Sequence, residues 1–94
     1  MARFYLDVDY KIDHIEDDDG AEYVDLAHAC ADAAHALREL VANAIRDARK
    51  SAPLSVTVRD PEGRTAATIY IADILPPEFL EGLLVGNVPT FSPE

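Results

Sequence analysis

The stretch DLAHACADAAHALRELVANAIRDARK, residues 25–50, decides the fold. From Leu26 to Lys50 it holds neither glycine nor proline, and nine of its residues are alanine, the side chain that costs a helix least entropy. Asp25 stands where an N-cap belongs, its carboxylate placed to accept from the free N–H groups of the first turn. Arg46, Arg49 and Lys50 close the stretch, where positive charge complements the helix dipole. The spacing predicts one helix from Leu26 to about Lys50. At about 100° per residue, with His28 as zero, Leu26, Cys30, Ala33, Leu37, Leu40, Val41, Ala44 and Ala48 fall between about 120° and 220°. That is one apolar face, of the width that lies on a sheet. Cys30 sits near its centre and reads as a buried, inert thiol.

Strands are expected on both sides of this helix. Upstream, Phe4, Leu6, Val8 and Tyr10 alternate with Arg3, Tyr5, Asp7 and Asp9, the period of a half-buried strand. Lys11 to Ile15 reads as a shorter strand returning on it. Glu16-Asp17-Asp18-Asp19 then form a loop ending at Gly20, read as a left-handed glycine. Ala21 to Val24 is short and extended. Downstream, Ser51-Ala52-Pro53 stops the helix, and Leu54, Val56 and Val58 alternate with Ser55, Thr57 and Arg59. Asp60-Pro61-Glu62-Gly63 suits a type I turn, and Thr65 to Ile74 returns as a β-branched strand. The expected fold is α+β: β-hairpin, one long helix, β-hairpin (ββαββ), an antiparallel sheet with the helix on one face. It forms a single domain over residues 1–75. Residues 76–94 form an apolar C-terminal tail, in which Pro77 opens a short helix carrying Phe79, Leu80, Leu83 and Leu84.

Ninety-four residues suffice for one domain with a thin core. Apolar residues make up 49% and charged residues 28%, a globular balance rather than a disordered one. Eighteen acids against eight bases give a net charge of −10. That sign opposes nucleic-acid phosphates and anionic membrane surfaces, while basic proteins and cations remain admissible partners. One cysteine excludes an internal disulfide. The N-terminus has no continuous apolar region for a signal peptide, and no run reaches the ~20 apolar residues of a membrane span. The expected location is the cytoplasm.

These pieces, in this order, resemble a family of small bacterial domains of unknown function. The resemblance rests on the aromatic first strand Arg3-Phe4-Tyr5-Leu6-Asp7-Val8, the acidic loop Asp18-Asp19-Gly20 and the extended Glu22-Tyr23-Val24-Asp25-Leu26. It continues through Leu37-Arg38-Glu39-Leu40 in an alanine-rich helix and the hairpin Val58-Arg59-Asp60-Pro61-Glu62-Gly63-Arg64. It covers residues 3–75. The loop between the first two strands lacks the glycine usual in the family, and the tail lies outside the pattern. The resemblance implies the fold and carries no activity. A weaker, fold-level similarity is to HicB-type antitoxins, the antitoxin half of HicAB pairs; it implies an acidic partner of a basic protein.

Asp25, His28, Asp32, His35 and Glu39 lie within about 80° on the helix side away from the core. They contain two Asp-x-x-His pairs, a donor set that transition metals use. His28 and His35 are separated by about 10.5 Å of helix rise, too far to share an ion, and Asp32 can serve only one of them at a time. A solvated face of weak His–carboxylate pairs is the plainer reading. An EF-hand register with Gly20 at its sixth position puts Ile15 at the first and Leu26 at the twelfth, so calcium is not expected. No nucleophile elbow or phosphate loop is present. The expectation is therefore no enzyme, no cofactor, and no catalytic or metal site. What remains is surface: an alanine flank at Ala27, Ala31, Ala34 and Ala42, the sheet edges, and the apolar tail. The preferred reading is a noncatalytic protein-interaction or regulatory module, homodimeric or bound to another protein. The alternatives are a small metal- or ligand-binding protein using the Asp/His strip, and the antitoxin-like partner.

Overall fold

A computed structural model of the protein describes residues 1–74. Strand β1 (Ala2–Asp9) is followed by β2 (His14–Ile15), β3 (Ala21–Tyr23), helix α1 (Leu26–Arg46), β4 (Ser55–Arg59) and β5 (Thr65–Tyr70), with a 3-10 turn over Ile71–Asp73. The architecture is α+β, an antiparallel sheet in the order β2-β1-β4-β5, with β3 also paired to β1. The expected fold class holds. The short helix expected in 76–94 lies outside the described residues.

The first hairpin is less regular than its alternation suggested. Of Lys11–Ile15 only His14 and Ile15 pair, opposite Asp9 and Val8. The remainder is a turn in which Tyr10 N–H donates to the Asp13 carbonyl at 2.7 Å. Ala21–Tyr23 proves to be a strand, pairing Phe4 to Ala2. β2 and β3 thus behave as one interrupted strand: residues 16–20 pass the β1 residues Tyr5, Leu6 and Asp7, which neither segment pairs. That leaves a small loop bulging beside β1.

The helix begins where expected. Asp25 is extended (φ −159°), and its Oδ1 accepts from His28 N–H at 2.9 Å. It ends at Arg46 rather than near Lys50. The cause is Asp47, whose carboxylate accepts from Arg49 N–H at 3.1 Å and so offers the backbone a turn in place of another helical step. Ala48, placed on the apolar face by the wheel, consequently lies outside the helix and is exposed.

The buried row is Ala29, Ala33, Leu37, Val41 and Ala44, of which the first four pack with Phe4, Val56, Val58 and Ile71. Ala29, about 100° on the wheel, belongs to the core although it lay just outside the expected face. Leu26 is exposed at the helix start, and Cys30 is only half-buried against the edge of the core. Ala29 and Ala33 show no exposed surface, so these small side chains seat the first half of the helix close on the sheet.

The second hairpin turns at Asp60–Gly63 as its residues required. Gly63 N–H donates to the Asp60 carbonyl at 2.9 Å with Gly63 at φ +85°, and the Asp60 carboxylate accepts from Glu62 and Arg64 N–H. The register shifts at Val58/Arg59, a bulge at the start of β5. β5 ends at Tyr70, short of the expected Ile74, because Asp73 accepts from Tyr70 N–H at 2.9 Å and begins the 3-10 turn.

Candidate functional site

Strand alternation sends Phe4, Leu6 and Val8 toward the helix and Tyr5, Asp7 and Asp9 to the opposite face, beside Ser55, Thr57 and Arg59 of β4. Sequence alternation alone makes this a polar, half-exposed face. Asp7 is nevertheless only 3% exposed. Arg59 grips its carboxylate in bidentate fashion, Nε to Oδ2 at 2.7 Å and a terminal nitrogen to Oδ1 at 3.0 Å. The guanidinium also donates to the Asp17 carbonyl at 3.1 Å and lies 4.8 Å from the Tyr5 ring centroid.

The acidic loop closes over this pair. Asp17 N–H donates to Asp7 Oδ1 at 2.9 Å, and the Asp17 carboxylate accepts from Leu6, Gly20 and Asp19 N–H. Asp17 therefore serves as the hydrogen-bond partner that the interrupted strand does not give Leu6. Gly20 is required here. It sits at φ +68°, and a Cβ would come 2.8 Å from the Tyr5 ring and 2.9 Å from the Phe4 carbonyl oxygen. Burial pushes the Asp7 and Asp17 carboxyls up, but the Arg59 and backbone hydrogen bonds outweigh it, and both fall below the ordinary carboxylate value.

Asp9 organises a second cluster. Its Oδ2 accepts from Ser55 Oγ at 3.2 Å and Thr57 Oγ1 at 2.9 Å, while Oδ1 meets His14 Nδ1 at 2.5 Å. The hydrogen bond to Asp9 raises the His14 pKa; on the Asp9 side, burial is outweighed by His14 and the two hydroxyls, and the carboxyl is lowered. Ser55 donates to the carboxylate rather than to the imidazole, so these three residues do not form a nucleophilic triad. Beyond this cluster the hairpin turn meets the end of the helix, where Tyr10, Asp13, Ile15, Leu40, Asn43 and Lys50 line a shallow groove of about 340 Å³.

The Asp/His strip is divided. Asp25 Oδ1 meets His28 Nδ1 at 2.6 Å, and Asp32 accepts from the Tyr23 hydroxyl at 2.5 Å; burial, together with this contact, pushes Tyr23 up to about 12. His35 and Glu39 are exposed on the following turns. Among the described residues no three His, Cys, Asp or Glu side chains are placed to hold one metal ion, and no helix is long and apolar enough to cross a membrane.

The Asp7–Arg59–Asp17 cluster and the Ser55 and Thr57 support of the Asp9–His14 pair were missed by sequence reasoning, because Arg59 lies 52 residues from Asp7 and Thr57 lies 48 from Asp9. The available signal was the two acids on alternate positions of β1, which antiparallel pairing sets beside Ser55, Thr57 and Arg59.

The family model described as "Domain of unknown function (DUF6894)" matches residues 3–72, and the chain belongs to that family. No curated protein and no solved structure matches it.

Proposed function

We propose that this chain, a member of the DUF6894 family, is a noncatalytic protein-interaction or regulatory module that works as a homodimer. The observation that supports the reading is where large apolar side chains stay exposed. Met1, Val24 and Leu26 are 83%, 61% and 37% exposed, and Met1 and Val24 directly flank the last β1–β3 pair, Ala2 with Tyr23, at one end of β1. Ile12 and Ile15, 90% and 55% exposed, stand at the other end. Ile45 and Tyr70 are exposed as well; among the described residues the core holds few large side chains, and grouped apolar exposure of this kind supports a contact surface. The carboxylates of the open sheet face are meanwhile engaged with Arg59, His14, hydroxyls and backbone N–H groups, where they hold the sheet edge in shape.

Val24→Lys and Ile15→Lys, each in the full chain, test the reading by light scattering after size-exclusion chromatography. The expected result is a wild-type dimer that one of the two substitutions converts to monomer, which marks the contacting end. A monomeric wild type, or a dimer indifferent to both substitutions, overturns it.

A further inference from the structure

The end of β1 carrying Asp9 also carries the shortest strand of the sheet. β2 is two residues long, and the chain between it and β1 is closed by the Tyr10-to-Asp13 backbone bond. Its side-chain anchor is His14, half exposed and therefore free to exchange a proton with water, against an Asp9 carboxylate held from behind by Ser55 and Thr57. A carboxylate fixed in this way does not need to be reoriented when the imidazole arrives. The same tip presents Ile12 and Ile15 and forms the Tyr10, Asp13, Ile15 wall of the groove. Whether β2 is seated therefore changes the apolar surface of that end.

We propose that Asp9 and His14 form a proton-operated latch: the protonated imidazole holds β2 on β1, and its deprotonation weakens that hold, so that the tip over residues 10–15 opens more often. The charged groups facing His14 are Asp9 and Asp7 from β1 and Glu16 from the loop that follows, all acidic. β4 contributes the uncharged Ser55 and Thr57 through Asp9, and Arg59, which lies 2.7 Å from Asp7 and 3.6 Å from Glu16. Arg59 thus largely neutralises the two more distant acids and leaves Asp9 as the direct partner. The sign follows from a pKa raised in the seated state. The latch contributes fully below the ordinary histidine value and is lost as pH rises through the elevated one.

The test uses the full chain by NMR. Ring shifts of His14 give its pKa, and solvent exchange of the Ile15 amide, referred to that of Val56 in β4, gives the opening of β2. The pKa is expected above the ordinary value, and β2 opening should increase across the same pH span by a factor of ten for each unit of that elevation. His14→Gln should remove the step while Val56 keeps its protection, which shows an intact fold. A flat Ile15-to-Val56 ratio in the wild type, an unchanged step in His14→Gln, or a His14 pKa at or below the ordinary value overturns the proposal. The readout lies within one molecule, so its failure leaves the dimer reading standing, and a monomeric protein leaves the latch standing.

Discussion

At the scale of single residues, Gly20 and Asp7 carry the most weight for their size. Gly20 is the point where the interrupted strand returns to β1, with positive φ and no room for a Cβ beside the Phe4 carbonyl. Gly20→Ala is expected to destabilise the protein by about 1–3 kcal/mol, from left-handed strain together with the contact. Urea titration measures it; a change within about 0.5 kcal/mol would show that the loop yields freely. Asp7 accepts three hydrogen bonds, two of them from a guanidinium. Asp7→Asn keeps the shape and removes the charge, and should cost about 1–3 kcal/mol at neutral pH. The Asp7 carboxyl is held below the ordinary 3.8 in the folded protein, so its contribution is present above that value and is lost as pH falls below it. Wild type should therefore lose stability more steeply than Asp7→Asn on acidification below about pH 5, and parallel curves would contradict this role.

Elements show which parts of the fold were legible in the sequence. The helix start, its apolar row and the Asp60–Gly63 turn could be read because each is fixed by residues within four positions of one another. The helix end could not, since Asp47 helps a helix or breaks it according to whether its carboxylate takes the Arg49 N–H. β3 escaped because only its pairing with Ala2–Phe4 makes three extended residues a strand. The polar face was legible as a face, but not as a built cluster, because Arg59 reaches Asp7 only once β1 and β4 are paired. Ala33 was correctly placed and has a quantitative consequence. With no exposed surface, it sets the helix-to-sheet distance, and Ala33→Leu should cost about 1–3 kcal/mol by overpacking. Thermal unfolding of this variant at or above the wild-type midpoint would show slack between the layers.

For the whole molecule, the sheet edges are less available than strand count implies. One edge is broken into β2 and β3 with Asp17 covering Leu6 N–H, and β5 starts in a bulge and ends with Asp73 on Tyr70 N–H. Bulges and very short segments are how sheets discourage strand-to-strand addition. The proposed association therefore falls to the apolar ends, Met1–Val24–Leu26 or Ile12–Ile15, and would have to overcome the repulsion of two chains at −10 each. Added salt screens that repulsion, so a dimer held by apolar contact should strengthen with ionic strength. Sedimentation velocity of the unmodified chain, over a wide concentration series at low and at moderate salt, tests the interaction-module reading most directly. The expected result is a concentration-dependent shift from monomer to dimer that moves to lower concentration as salt is added. A single monomeric species at every concentration and both salts would contradict it.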